Sequence, residues 1–325
     1  MAAEPQPGAP APLISIPEAP VPEGGQAAWI AAADGVLLRA ALFPARGAVR
    51  GSVLLSPGRT EPIEKYFEVI GDLTQRGLVV LAHDWRGQGL SQRLLPDRLR
   101  GHADGFGGYL DDHRALLEAY ADRLPRPWIS LGHSMGGCLE LLALAQGERL
   151  LDGAFLSAPM LAISTRPWPA WMAMRIVRLS KWMGRAQDYA LPTYDPTGDR
   201  FGFDRLTHDW ARYERFKAQL KACPDLAIGA LTWGWLDFAL QAGTAIAARG
   251  VLEKVEIPVS IVAAAHDHLV LNAADREAAR RLPRGRYLEL EGAFHEILME
   301  ADPVRDRVLE AFDQLVDEVI SPSPR

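Results

Sequence analysis

Short, almost continuous apolar runs recur along this chain, and this pattern restricts its fold more than any other feature. The runs cover residues 52–56, 78–84, 128–132, 153–159, 259–265 and 286–292. A strand that is apolar at successive positions is buried on both faces, as in a parallel sheet covered by helices. Helix-like segments such as 63–76 and 109–123 separate most of the runs. The sequence therefore predicts an α/β fold with a mostly parallel central sheet and helices on both faces.

The N-terminal part differs in composition from the rest. Two apolar runs within residues 27–43 flank Asp34-Gly35, which predicts a tight antiparallel hairpin at the entrance to the sheet. The first 24 residues hold seven prolines and neither Lys nor Arg, so they lack the basic start and apolar core of a secretory signal. We predict that residues 1–26 form a disordered Pro-rich extension.

Residues 161–250 interrupt the alternation of strands and helices. Six of the nine Trp and four of the seven Met fall in this interval or at its edge, and it contains no obvious strand. This content predicts a helical lid over an apolar pocket, inserted between two segments of the core, 27–160 and 251–325. The candidate substrate contacts are Trp171, Met174, Trp182, Trp233 and Trp235. Alternatively, these side chains form only the lid's own core.

The segment Gly-His-Ser-Met-Gly-Gly, residues 132–137, lies between an apolar run and a helix-like segment. Small residues at Gly132 and Gly136 let a strand and a helix approach closely, and such a turn exposes the Ser134 hydroxyl at a helix N-terminus. Ser134 is therefore a candidate nucleophile. The alternative is a glycine-rich helix start with an inactive serine.

A serine nucleophile needs a histidine base and a carboxylate that orients the histidine. Asp267 follows the run that ends at residue 265, and His295 follows the run that ends near residue 292. Active-site groups in this fold class lie beyond the carboxyl ends of the strands. The chain order Ser134, Asp267, His295 is that of the α/β-hydrolase triad.

Other residues compete for the same roles. His268 is the rival base, and Asp237 and Asp275 are the rival acids. Neighbours on a tight elbow point apart, so His133 is interpreted as structural. Glu296 is expected to support its loop rather than replace the acid.

Several segments resemble the lysophospholipase and monoacylglycerol lipase branch of the α/β-hydrolases, bacterial members especially. They are SPGRTEPIEKYFEVIGDLTQRGLVVLAHDWRGQGLS (56–91), GHSMGG (132–137), TWGWL (232–236), HDHLV (266–270) and GAFHEILMEAD (292–302). The resemblance covers nearly everything after residue 27 and is looser across the lid. It implies a catalytic triad of Ser134, Asp267 and His295.

The resemblance also implies an oxyanion hole made by the backbone N–H groups of Arg59 and Met135. One departure concerns the loop before Arg59, where this chain has Pro57-Gly58 and the family usually has His-Gly. A proline restricts the preceding Ser56 and stiffens the entry to the loop.

The expected substrate is a small lipid ester, a lysophospholipid or a monoacylglycerol, cleaved without a metal or organic cofactor. Arg175, Arg178 and Lys181 recur at spacing three in the lid and suggest a helix that contacts a membrane surface or a phosphate head group; a solvated face is the alternative. An amidase, a non-lipid esterase and a catalytically silent binding protein are further alternatives.

Composition narrows the partners and the location. The net charge of −6 argues against nucleic acid as a partner. Two cysteines cannot form a disulfide framework, so we expect a cytoplasmic enzyme, with the lid as its contact to membranes. The oligomeric state is not predicted.

Overall fold

A nine-stranded sheet forms the centre of the molecule, in a computed structural model that describes residues 5–198, 200–201 and 206–321. The strands are β1 (Pro10–Ala11), β2 (Gln26–Ala31), β3 (Leu37–Phe43), β4 (Gly51–Ser56), β5 (Leu78–His83), β6 (Trp128–His133), β7 (Gly153–Ser157), β8 (Val259–Ala264) and β9 (Gly285–Leu290). Their spatial order is β1-β2-β3-β5-β4-β6-β7-β8-β9. Strands β4 to β9 pair in parallel, whereas β1, β2 and β3 join through antiparallel pairs.

The predicted α/β class and central sheet are confirmed. Strands β4 to β8 are buried at every position, which explains why their sequences are apolar without alternation. Strand β9 lies at the edge of the sheet and is only partly buried. The predicted hairpin at Asp34-Gly35 is also confirmed, since β2 and β3 pair across this turn and Asp34 Oδ1 accepts the N–H of Val36 at 3.2 Å.

Helices cover both faces of the sheet. In the described residues they are α1 (Phe67–Gln75), α2 (Gly107–Tyr120), α3 (Met135–Ala145), α4 (Ala170–Trp182), α5 (Trp210–Ala222), α6 (Trp233–Ala247), α7 (Asn272–Arg281) and α8 (Asp302–Ile320). Helices α2, α3, α6 and α7 contribute to one hydrophobic cluster, and α1 and α8 to the other. No helix in the part of the chain that the structure describes is long and apolar enough to cross a membrane.

The expected disorder of residues 1–26 is wrong for residues 5–26, and residues 1–4 lie outside the described part. Strand β1 extends the sheet beside β2, and Ile16 packs into the core. The N–H of Ile14 donates to Glu64 Oε1 at 3.1 Å, and Arg39 Nη1 donates to the carbonyl of Pro12 at 3.0 Å. Prolines restrict the conformations of the unfolded chain, so ordering an extended Pro-rich segment costs less conformational entropy. A few contacts are therefore enough to hold this segment in place.

Between β7 and β8, the described residues form three α-helices: α4, α5 and α6. Residue 199 and residues 202–205 of the predicted lid lie outside the described part. Helix α6 packs on α3, and its Phe238 and Ala242 belong to the main hydrophobic cluster. Helix α4 packs on α6 from the outside. The last of the three helices is therefore a layer of the core, with α4 as a second layer above it.

Candidate active site

Ser134 lies at the turn between β6 and α3. Its backbone has φ +48° and ψ −112°, a conformation that costs free energy in any residue with a Cβ atom. The neighbouring glycines make the turn feasible. A Cβ atom on Gly132 would lie 2.8 Å from Gly137 Cα, and one on Gly136 would lie 2.0 Å from the Ser56 carbonyl oxygen. The predicted strand, elbow and helix around Ser134 are therefore present in the structure.

Three side chains from separate strand ends meet at this turn. His295 Nε2 lies 2.9 Å from Ser134 Oγ, and His295 Nδ1 lies 2.6 Å from Asp267 Oδ2. The other oxygen of Asp267 accepts the N–H groups of Leu269 at 2.8 Å and Val270 at 3.0 Å. Both oxygens of the carboxylate are thereby held, and the carboxylate in turn orients the imidazole.

The electrostatics of the pair favour a charged carboxylate next to a basic imidazole. Burial alone lowers the pKa of His295 and raises that of Asp267. Their mutual attraction outweighs burial, so the pKa of His295 lies above its ordinary value and that of Asp267 lies below. A neutral imidazole that donates from Nδ1 to the carboxylate presents the Nε2 lone pair to the serine hydroxyl.

The rival residues lie elsewhere. His268 is exposed, with its ring 6.0 Å from that of Phe294. Asp237 accepts hydrogen bonds from Lys181 and Gln241. Asp275 is buried on α7, and no hydrogen-bond partner for its carboxyl oxygens occurs in the described residues.

The two remaining alternatives have structural contacts. His133 directs Nδ1 to the carbonyl of Ser157 at 3.0 Å, and burial, the largest influence, lowers its pKa to about 4. Glu296 pairs with Lys65 at 2.6 Å. This ion pair agrees with the interpretation that Glu296 supports its loop.

The two predicted oxyanion donors flank the serine. Met135 is the first residue of α3, and Arg59 lies in the loop after β4. In the described part of the chain, neither backbone N–H has a hydrogen-bond partner. Two unpaired N–H groups beside a nucleophile can stabilise a developing oxyanion.

Three hydrogen bonds hold the loop on either side of Arg59. The carbonyl of Pro57 accepts from Trp85 Nε1 at 2.9 Å, and the N–H of Gly58 donates to Glu61 Oε2 at 2.6 Å. The N–H of Thr60, which has φ +66°, donates to Gln88 Oε1 at 2.5 Å. The loop is thus fixed from the Pro57 carbonyl to the Thr60 N–H, and the Arg59 N–H is left free between them.

Gln88 and Glu61 are positioning residues that the sequence analysis missed. Gln88 also contacts the residue of the second predicted oxyanion donor, since its Nε2 lies 3.7 Å from Sδ of the Met135 side chain. Gln88 belongs to the segment DWRGQGLS, which is part of the family resemblance. Only the fold shows that Gln88 reaches across to a different loop.

Glu61 belongs to a buried ionic network beneath the loop. Its carboxylate accepts from Lys65 Nζ at 2.7 Å and from the Tyr66 hydroxyl at 2.6 Å. Burial raises the pKa of Glu61, but the charges of Lys65 and His133 outweigh burial and lower it to about 2. Glu61 therefore stays ionised and keeps accepting the Gly58 N–H.

The five predicted substrate contacts divide into two groups. Trp171 is 58% exposed and Trp182 is 83% exposed, because α4 buries its opposite side, with Val177, on α6. These two rings lie on the outer surface and not in a pocket, so the prediction that they line a pocket is wrong. Met174, on the same helix, is partly buried.

The second group lies at the start of α6. Trp233 is partly buried, and Trp235 is 7% exposed. The guanidinium carbon of Arg59 lies 5.3 Å from the ring centroid of Trp235. The Trp235 side chain therefore contacts the loop that carries one of the two predicted oxyanion donors.

No cluster of three His, Cys, Asp or Glu side chains able to hold a metal ion occurs in the described residues. The cysteines of this part, Cys138 and Cys223, are both free thiols.

Comparisons with known proteins agree with this geometry. A family model described as serine aminopeptidase, S33, matches residues 47–302. Lysophospholipase L2 of Escherichia coli strain K12 is 34% identical over 282 residues, which cover 83% of this chain and 82% of the relative. A probable lysophospholipase L2 of Haemophilus influenzae is 28% identical over 277 residues, covering 85% and 87% of the two chains.

A solved monoglyceride lipase from Saccharomyces cerevisiae superimposes with a TM-score of 0.71 at 23% identity, covering 96% of this chain and 100% of the other. Fold and elbow together define the class of this protein: it is an α/β-hydrolase with a serine at the nucleophile position. More particularly, the chain belongs to the serine aminopeptidase S33 family of hydrolases. The expected likeness to the lysophospholipase and monoacylglycerol lipase branch is confirmed.

Proposed function

We propose that this protein hydrolyses the carboxylic ester of a single-chain glycerolipid, a lysophospholipid or a monoacylglycerol, through an acyl-enzyme on Ser134. The observation that carries the proposal is the hydrogen-bonded chain from Ser134 Oγ through His295 to Asp267, built on a strained elbow. The 34% identity to a lysophospholipase supports the class of substrate.

The first step forms the acyl-enzyme. His295 Nε2 takes the proton of Ser134, whose oxygen attacks the ester carbonyl. The N–H groups of Arg59 and Met135 stabilise the oxyanion, and His295 then returns the proton to the leaving glycerol oxygen. In the second step, water attacks the acyl-enzyme with His295 again as the base, which releases the fatty acid and frees Ser134.

The second part of the proposal is that the enzyme contacts a lipid surface through α4. Its outward side and the flanking residues form the outer face, which consists of Trp168, Trp171, Arg175, Arg178, Leu179, Trp182 and Met183, all exposed. Aromatic and apolar side chains mixed with arginines are typical of helices that lie in the interface of a bilayer. Lys181, predicted to act with the two arginines, instead pairs with the buried Asp237 and does not belong to this face.

Fatty-acid release from lysophosphatidylcholine and from monoacylglycerol, measured side by side with native protein and with Ser134→Ala, tests the proposal. We expect the native protein to release fatty acid from at least one of the lipids. The variant should lose activity to a residual level about 10⁶-fold lower in kcat, as when a catalytic serine is removed elsewhere. An active Ser134→Ala protein, or a native protein inactive on both lipids, would contradict it.

A further inference from the structure

Arg59, whose backbone N–H is a proposed oxyanion donor, has a positively charged side chain that pairs with no carboxylate among the described residues. Its Nη2 donates to the carbonyl of Gly229 at 2.5 Å, and its guanidinium lies over the Trp235 ring. In the part of the chain that the structure describes, no carboxylate lies within 4.0 Å of it. Its Nε is buried and has no acceptor among those residues.

Two other buried arginines of the described residues are neutralised by pairs of carboxylates. Arg39 pairs with both Glu64 and Asp84 at 2.7 Å. Arg86 pairs with Asp112 at 2.6 Å and with Asp34 at 2.7 Å. A cation removed from water without a counter-ion is costly. Arg59 shares this state with Arg93, whose guanidinium donates to backbone carbonyls and keeps a buried Nη1 without an acceptor in the described residues. Arg59 differs from Arg93 because its own backbone N–H is a proposed oxyanion donor.

The ring that Arg59 contacts also has an unused donor. Trp235 is 7% exposed, and its indole Nε1 is buried without an acceptor in the described residues. Arginine and tryptophan side chains donate hydrogen bonds but do not accept them. The Nε–H group of Arg59 and the Nε1–H group of Trp235 thus have no acceptor among the described residues, and an anionic group with several oxygens would supply one.

The position of Arg59 in the chain brings its charged side chain close to the ester that reacts. Its own backbone N–H is a proposed oxyanion donor, so its guanidinium is tethered one side-chain length from the scissile ester. In a lysophospholipid, only a few bonds of the glycerol separate that ester from the phosphate. Tyr194, whose hydroxyl is a hydrogen-bond partner of the Arg59 side chain, lines a cavity together with Thr60 and with Glu296, the residue after the proposed base.

We infer that the guanidinium of Arg59, with the indole N–H of Trp235, binds the phosphate of a lysophospholipid head group. The planar guanidinium matches phosphate oxygens in a bidentate manner, and a monoacylglycerol has no anion to offer. The inference rests on the proposed function and decides between its two substrates. Selectivity for the phospholipid then originates in the loop that also supplies the oxyanion hole.

The test compares kcat/KM for lysophosphatidylcholine with kcat/KM for a monoacylglycerol of the same chain length. Arg59→Gln keeps the backbone N–H, and any disturbance of the oxyanion loop affects both lipids and cancels in the ratio. We expect the ratio to fall by about tenfold, the effect of losing one charge-assisted hydrogen bond, and to recover in part in Arg59→Lys. Trp235→Phe should lower the ratio less than Arg59→Gln.

Arg280→Gln is the matched control, since Arg280 is exposed on α7 and pairs with Glu277 at 2.7 Å. It should leave the ratio unchanged. Equal losses on both lipids in Arg59→Gln would overturn the inference while the proposed function stands. A native protein that cleaves neither lipid is a separate result and contradicts the proposed function itself.

Binding separates head-group recognition from chemistry. In Ser134→Ala protein, we expect the added change Arg59→Gln to raise the Kd for a short-chain lysophosphatidylcholine about tenfold more than the Kd for the matching monoacylglycerol. Glycerol 3-phosphate should compete better than inorganic phosphate if the glycerol and the phosphate are bound together. Equal changes in Kd for both lipids would show that Arg59 only packs against Trp235, and would overturn the inference.

Discussion

Gln88 contacts both segments that carry the proposed oxyanion donors, the loop of Arg59 and the start of α3, although it contacts no reacting atom in the proposed mechanism. Its Oε1 fixes Thr60 in a left-handed conformation, and its Nε2 approaches Met135. Removing an oxyanion donor costs about 2.7–4 kcal/mol of transition-state stabilisation, and displacing one should cost less. We predict that Gln88→Ala lowers kcat about tenfold with little change in KM.

Steady-state kinetics on the preferred lipid check this prediction. Gln314→Ala, an exposed glutamine on α8, is the control and should behave like the native protein. A rise in KM at constant kcat in Gln88→Ala would show that Gln88 shapes substrate binding and not the oxyanion hole.

The pH profile follows from the His295 and Asp267 pair. The base must be neutral, and Asp267 raises the pKa of His295 above its ordinary value against the opposing effect of burial. Activity should therefore fall as the pH drops through this raised pKa, and the acid limb of kcat/KM should lie above the ordinary histidine value. Asp267→Asn should shift this limb to lower pH and reduce kcat by about 10⁴-fold, as the equivalent change does in a serine protease.

Rates measured across pH for both proteins decide this point. An acid limb that keeps the same position in Asp267→Asn would mean that another group orients His295. The control is Asp313→Asn, which removes a partly buried carboxylate on α8 that pairs with Arg76 at 2.9 Å, away from the site.

At the scale of single elements, helix α4 is predicted to hold the enzyme on lipid. Trp171→Ser together with Trp182→Ser removes two large exposed rings and should weaken binding to phosphatidylglycerol-containing vesicles at least about tenfold. Sedimentation with such vesicles measures the effect. Trp210→Ser removes an exposed Trp outside this face and serves as the control. Equal binding by all three proteins would contradict the membrane assignment.

The N-terminal segment is the second element with a testable role. Ile16 is packed in the core beside β3 and α1, so Ile16→Ala should lower the free energy of unfolding by about 2 kcal/mol. Urea denaturation measures this change. Leu191→Ala, at a 54% exposed position, should have almost no effect. An unchanged midpoint in Ile16→Ala would show that the segment does not contribute to stability.

For the molecule as a whole, the sequence predicts the features that depend on residues adjacent in the chain. Apolar runs identify strands β4 to β9, and the glycine spacing around Ser134 identifies the elbow, because both follow from the steric and hydrophobic needs of adjacent residues. The positions of Asp267 and His295 follow from the rule that loops after parallel strands meet at one edge.

The sequence does not predict contacts between residues that are far apart in the chain. Gln88 and Glu61 each hold the loop around Arg59 by one hydrogen bond. Which residues form these bonds depends on the packing of several elements. The N-terminal segment holds few apolar residues, so composition suggested disorder where Ile16 anchors it. Trp171 and Trp182 are exposed because the opposite side of α4 packs on α6. The sequence of α4 does not show which side packs, because apolar residues occur on several sides of the helix.

The central claim is a covalent acyl-enzyme on Ser134, and its most direct test is the intact mass of the protein in an acid-quenched reaction with a lysophospholipid or monoacylglycerol. Native protein should gain the mass of one acyl group, and peptide mapping should place it within the elbow segment of residues 132–137. Ser134→Ala protein should gain none. Hydrolysis with an acyl group on another residue, or an adduct that persists in Ser134→Ala, would contradict the account.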